Sequence, residues 1–201
     1  MSKDFQKLLG EDSRVLYFKK FYNEKQSGEI FQYLKNHIKW RSDKIKMFGR
    51  VHSLPRLQAW YAENKDLVYT YSRIELRPQI FTSELKQLVS DVENKTGHEY
   101  NSVLLNYYRG GDDYVSWHAD DEAELGECPA IASLSFGGTR KFVLRSKADK
   151  NKKMDLMLED GSLLLMDGET QHKWEHQLPR SKIFDQERIN CTFRYCYPSS
   201  L

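Results

Sequence analysis

Apolar residues along this chain keep two different periods, and the change from one to the other falls at Gly97. Upstream, Ile30, Leu34 and Ile38 recur at four-residue spacing, which lines them up on one stripe of an α-helix opening at Ser27. A second stripe, Leu85, Leu88, Val89 and Val92, predicts a helix that starts at Thr82 or Ser83. It stops at Gly97, a residue suited to a left-handed C-terminal cap. Downstream, the apolar residues form short clusters rich in Val, Leu, Tyr and Phe, over 102–108, 114–118, 130–136, 141–144, 161–166 and 188–197. Gly110-Gly111, Gly137-Gly138, the lysine-rich run 147–153 and Asp167-Gly168 separate them, as in a chain of hairpins. Helices first and strands afterwards predict an α+β fold, mainly β, with a sandwich or barrel as its core.

Side chains two apart on a strand share a face. His118 and Asp120 therefore point the same way, with Ala119 turned away between them. Along 188–197, Arg188, Asn190, Thr192 and Arg194 make one polar face, and Ile189, Cys191, Phe193 and Tyr195 make the packing face. Four polar groups on one strand face are expensive to bury unless a ligand meets them. Asn106 and Tyr108 also share a side, so three strands offer polar groups to a single pocket.

With 201 residues and no Pro- or Gly-rich linker, the chain is read as an N-terminal extension and helix, 1–40, followed by one domain, 41–201. Within that domain 82–97 is the second helix and 100–198 the β core. No apolar run reaches the roughly 18 residues needed to span a bilayer, and the first residues lack the apolar core of a signal peptide. A soluble monomer with no membrane partner is expected. The three cysteines, Cys128, Cys191 and Cys196, form no Cys-x-x-Cys pair, which argues against a disulfide framework or structural zinc. A reducing intracellular compartment fits, the nucleus in a eukaryote or the cytoplasm in a bacterium. The net charge of +2 hides an uneven distribution. Residues 41–56 carry five basic side chains against Asp43 alone, whereas 112–127 carry seven acidic ones and no Lys or Arg. A basic arm suits a polyanion, and an acidic stretch around His118 suits a cation.

His118, Asp120 and the downstream His176 are the ligand types of a 2-His-1-carboxylate iron site. Such a triad leaves three positions open for a bidentate co-substrate and dioxygen. The co-substrate must then be held at its far end, and the guanidinium forks of Arg188 and Arg194 suit a carboxylate there. Asn106 and Tyr108 can add neutral hydrogen bonds, so the pattern asks for a dicarboxylate. His52, His98 and His172 lack this spacing and are read as structural or exposed.

These residues occur in order with Met47-Phe48-Gly49, His52-Ser53-Leu54-Pro55-Arg56, Tyr69-Thr70-Tyr71-Ser72 and Leu105-Asn106-Tyr107-Tyr108. Further on come His118-Ala119-Asp120-Asp121-Glu122, Ile131-Ala132-Ser133-Leu134-Ser135-Phe136-Gly137, His176-Gln177-Leu178-Pro179 and Arg188-Ile189-Asn190-Cys191-Thr192-Phe193-Arg194. Over 46–197 the chain resembles the AlkB-type dioxygenases, which depend on Fe(II), 2-oxoglutarate and O2, and is similar above all to their nuclear DNA-repair members. The resemblance implies a double-stranded β-helix (jelly-roll) core with N-terminal helices packed outside and a nucleotide-recognition lid over 41–75. It implies iron on His118, Asp120 and His176, and 2-oxoglutarate against Asn106, Tyr108, Arg188, Asn190, Thr192 and Arg194, with Asn190 ordering the strand rather than touching the co-substrate. The activity implied is oxidative demethylation of N-alkylated bases such as 1-methyladenine and 3-methylcytosine in DNA, releasing succinate, carbon dioxide and formaldehyde.

A base attacked at its Watson-Crick edge must be extruded or already single-stranded. Under this resemblance Phe48 is a wedge for the vacated gap, and Lys44, Lys46, Arg50 and Arg56 hold phosphates. Tyr69 and Tyr71 line the extruded base, and Asp121 and Glu122 read its exocyclic amine or positive charge. The chain departs from the family at Ala62 and Arg73, where glycines would flank the tyrosine strand. Alternatives are the same chemistry on RNA or protein, or a jelly-roll that binds damaged nucleic acid without turnover.

Overall fold

Each of the two predicted helices is started by a side chain that caps it. Helix α1 (Glu24–His37) opens ahead of Ser27, because the Asn23 side chain accepts from the Gln26 N–H at 3.0 Å while Gln26 Oε1 accepts from the Asn23 N–H at 3.1 Å. This capping box lies in a wholly polar first turn, which apolar spacing does not register. Helix α2 (Ser83–Thr96) is capped by Thr82 and ends on Gly97 at φ 75°, as its sequence predicts. A third, short helix, α3 (Thr170–Lys173), falls among the strands.

The computed structural model describes residues 5–9, 12–47, 50–67, 69–71, 74–183 and 185–197, with the backbone course alone for 5–8, 44–47, 50–52, 69–71 and 74–76. Its strands are, in order, β1 (Phe5–Leu8), β2 (Ser13–Phe18), β3 (Lys44–Met47), β4 (Arg50–Ser53), β5 (Leu57–Ala62), β6 (Tyr69–Tyr71), β7 (Ile74–Leu76) and β8 (Gln79–Ile80). After α2 come β9 (Ser102–Tyr108), β10 (Val115–His118), β11 (Ile131–Gly137), β12 (Arg140–Ser146), β13 (Lys153–Leu158), β14 (Ser162–Gly168), β15 (Trp174–Leu178) and β16 (Arg188–Arg194). The expected order of helices first and strands afterwards is therefore corrected, since β1, β2 and β5 are built into the main sheet. Tyr195 also falls beyond the end of β16 and is 38% exposed, not on the packing face.

That sheet has eight strands in the order β1-β2-β14-β11-β16-β9-β5-β8, and a second has four, β10-β15-β12-β13. Alternation sorts the larger sheet's side chains between two cores. Val103, Leu105, Leu134, Ile189 and Phe193 face α1 and α2, in one cluster with Leu34, Leu85 and Val92. Leu104, Ile131, Leu164 and Met166 face the other way and meet Phe142, Leu144, Met154 and Trp174 of the smaller sheet. Burial on both faces is why β9 and β16 are buried at every position, whereas β15 alternates. Two facing sheets, antiparallel except for the parallel β5–β8 pair at one edge, with helices outside the larger make a double-stranded β-helix. The ribbons β3-β4 and β6-β7 pair only within themselves among the described residues. No helix there is long and apolar enough to cross a membrane.

Candidate active site

A row of polar side chains crosses the inner face of the larger sheet, set by register: Gln58 lies opposite Asn106, Asn106 opposite Asn190 and Asn190 opposite Ser135. Asn106 Oδ1 accepts from Arg56 Nε at 2.8 Å and Gln58 Nε2 at 2.9 Å, and its amide donates to Asn190 Oδ1 at 3.2 Å. Asn190 in turn donates to Ser133 Oγ at 2.7 Å, and Thr192 donates to Asn190 Oδ1 at 2.9 Å. Neighbouring polar groups thus satisfy one another, which makes this buried row tolerable. One cavity between the sheets is lined by Asn106, Tyr108, Arg188, Asn190, Thr192 and Arg194, together with His118, Asp120 and His176.

The three predicted ligands meet at the end of the cavity where β10 pairs with β15. His118 stands directly opposite His176, with a register shift between Val115 and His118, and their rings lie 4.2 Å apart. A metal-ligating atom from each of His118, Asp120 and His176 lies within 4.8 Å of the other two. His118 Nδ1 is 2.8 Å from the Ser116 carbonyl. A carbonyl only accepts, so Nδ1 carries the proton and Nε2 keeps its lone pair for a metal. Arg194 donates to Asp120 Oδ1 at 2.6 Å, leaving Oδ2, which lies 3.8 Å from His176 Nε2.

Electrostatics favour the ligand-competent protonation state. Loss of solvent pulls the His118 imidazole below its ordinary range. His176 is drawn down to about 3, by burial first and by the neighbouring His118 second. Burial alone would raise the Asp120 carboxyl, but Arg194, His176 and His118 outweigh it and hold it below the usual carboxylate range. Two neutral imidazoles and one carboxylate are the form a divalent ion requires.

Arg188 and Arg194 do not converge on one carboxylate as expected. Six residues apart on one strand, they leave the backbone at points roughly 20 Å apart at a rise of about 3.3 Å per residue, their side chains line the same cavity, and Arg194 is engaged by the metal-ligand aspartate. Arg188, 1% exposed, lies opposite Tyr108 and donates to Ser135 Oγ at 2.8 Å. No carboxylate among the described residues pairs with it, its Nε has no hydrogen-bond partner, and burial lowers its guanidinium to about 10. The donor set and this cation fit Fe(II) at one end and an anionic co-substrate group at the other.

Other predicted residues fall differently. Arg56, expected against phosphates, is 3% exposed and lines the cavity. Asp121 is exposed and paired with Lys147 at 2.8 Å, and neither it nor Glu122 is among the residues that line the cavity. Tyr69 and Tyr71 lie on β6 with side chains outside the description, and Phe48 lies outside the described residues altogether. Gln58, Ser133 and Ser135 were missed. The serines' alternation within an otherwise apolar strand was a readable signal, whereas Gln58 depends on a partner 48 residues away.

Residues 14–194 match the 2OG-Fe(II) oxygenase superfamily. The chain belongs to that superfamily. Fe(II), 2-oxoglutarate and O2 are accordingly its cofactor and co-substrates. Among superfamily members, alpha-ketoglutarate-dependent dioxygenase alkB homolog 3 of Homo sapiens is 40% identical over 195 residues, covering 92% of this chain and 67% of the relative. DNA oxidative demethylase ALKBH2 of Homo sapiens is 37% identical over 183 residues, covering 86% and 70%. The solved structure of OsALKBH1 superposes with a TM-score of 0.61 at 18% identity, over 90% of this chain and 97% of that one, a likeness of fold.

Proposed function

We propose that this 2OG-Fe(II) oxygenase is a DNA oxidative demethylase that removes N-methyl groups from bases of the 1-methyladenine and 3-methylcytosine type. The observation that carries the reading is the cluster of His118, Asp120 and His176 in a cavity that is also lined by Arg188, a buried cation with no carboxylate partner among the described residues. The identity with a relative named as a DNA oxidative demethylase supports the choice of substrate.

His118 Nε2, Asp120 Oδ2 and His176 would hold the iron, and Arg194 would keep Asp120 from turning its second oxygen inward. Arg188 would receive the far carboxylate of 2-oxoglutarate, with Tyr108 and Asn106 flanking it and Asn190 and Thr192 ordering the strand beneath. When bound, Fe(II) with 2-oxoglutarate and O2 supplies oxidation of the methyl C–H, yielding succinate and carbon dioxide. The hydroxymethyl group then leaves as formaldehyde, its hydroxyl proton is released, and the C–N electron pair returns to the ring nitrogen, which restores the neutral base. Leu104, Phe142, Met166 and Leu178 line the same cavity with apolar side chains, which would limit water around the reacting carbon.

The basic composition of 41–56 supports a lid over 41–75 that holds phosphates through Lys44, Lys46 and Arg50, with Phe48 as wedge and Tyr69 and Tyr71 beside the base. Phe48→Ala is expected to slow repair of duplex more than of single strands, and equal loss on both would assign Phe48 to packing. The substrate reading is tested by formaldehyde release from matched methylated DNA, RNA and peptide. Fastest release from DNA is expected, and faster release from RNA or peptide would overturn it.

A further inference from the structure

Asp120 lies two residues beyond the end of β10, so no strand pairing fixes it. Its backbone N–H donates to Gln171 Oε1 at 3.0 Å in a buried contact, and Gln171 is 0% exposed. The amide has one sensible orientation there. The N–H can only donate, and the Met166 thioether, 3.7 Å from Gln171 Nε2, can only accept. Gln171 belongs to α3, five residues before His176. That helix is fastened to the larger sheet by Thr170, whose hydroxyl donates to the Asp167 carbonyl at 2.5 Å and accepts from the Arg14 N–H at 3.2 Å. From outside, Lys147 Nζ donates to the Gln171 carbonyl at 2.9 Å and to Asp121 Oδ2 at 2.8 Å.

We infer that Gln171 is a positioning residue of the metal centre, locking the Asp120 ligand to the segment that carries His176, with Lys147 bracing the same joint. This rests on the proposed metal role of His118, Asp120 and His176. The two ligand segments are 51 positions apart at the Gln171 contact, and the amide holds them together before any ion arrives. By fixing the Asp120 peptide, Gln171 decides which way the carboxylate leaves the backbone. Oδ1 then faces Arg194 and Oδ2 faces His176.

The test measures Mn(II) affinity of the full, metal-stripped chain by calorimetry, with Co(II) absorption bands as a report of ligand geometry. Gln171→Met removes the acceptor, and Gln171→Glu keeps an oxygen at the same place. Gln171→Met is expected to weaken Mn(II) by about tenfold or more and to alter the Co(II) bands, as loss of a ligand-orienting partner does, while Gln171→Glu restores both. Wild-type affinity and bands in Gln171→Met, or equal losses in both variants, would overturn the inference. If Gln171→Met does not fold, Lys147→Met at the surface decides. Affinity about threefold weaker or worse supports the joint, and unchanged affinity overturns it. Wild-type chain that binds no Mn(II) would instead sink the metal-site reading beneath it.

Discussion

A guanidinium as deeply buried as Arg188 is stable only where something offsets its lost hydration. The proposed 2-oxoglutarate carboxylate would be that partner, which separates two effects of one substitution. Arg188→Met should leave stability unchanged or raised, because a desolvated charge is removed. It should also raise the KM for 2-oxoglutarate by about 30-fold, the equivalent of about 2 kcal/mol for hydrogen bonds to a charged group. Succinate formation at varied 2-oxoglutarate measures this, and an unchanged KM would move the grip elsewhere. His176 gives a pH prediction for the metal-free protein. Its folded pKa is lowered to about 3 from 6.5, so below pH 6.5 the unfolded chain takes up a proton that the folded chain refuses. The stabilisation present above pH 6.5 is lost as pH falls toward 3. Urea unfolding with chelator should therefore weaken between these limits, and less steeply in His176→Gln; parallel slopes would refute the assignment. At this scale the His118–Asp120 pair and the polar face of β16 were readable from spacing, since both repeat at two residues, whereas His176 was legible by its ligand type and the family resemblance. The task of Arg194 and the place of Arg56 were not, because each depends on a partner brought in by sheet register.

Elements position these residues through pairing. β10 and β15 bring two histidines opposite one another, and β9 and β16 align Asn106 with Asn190. Turn geometry keeps the pairing in place. Gly168 ends β14 at φ 61°, and a Cβ there would lie 2.1 Å from the Asp12 carbonyl oxygen. That oxygen already accepts from the Glu169 N–H at 2.7 Å, so it cannot withdraw freely. Gly168→Ala should destabilise the fold by about 3 kcal/mol, from left-handed strain plus the clash. Chemical unfolding reads this directly, and a change below about 0.5 kcal/mol, the range of an unconstrained surface substitution, would show that the turn relaxes at no cost. Helix α2 was readable to its caps because its apolar stripe is regular and Gly97 ends it. β13 and β15 escaped because strands with one solvated face interleave Lys, Asp, Glu and Gln with their apolar positions. The triad's third ligand therefore sits on a strand recognised only once its partners β10 and β12 are in place.

For the whole molecule, the larger sheet is buried on both sides, by helices outside and the smaller sheet inside, and the inner side carries the site. Helices α1 and α2 thus stabilise the platform without lining the site. In the proposed function, metal held by His118, Asp120 and His176 drives oxidative demethylation of DNA bases. Its most direct test is anaerobic loading with Fe(II) and 2-oxoglutarate, then addition of O2 and a DNA oligonucleotide containing 1-methyladenine, with succinate, formaldehyde and restored adenine measured together. The wild-type chain should form all three in equal amounts, and His118→Ala should form none. Formation of restored adenine by His118→Ala at the wild-type rate, or no restored adenine from the iron-loaded wild type, would contradict the account.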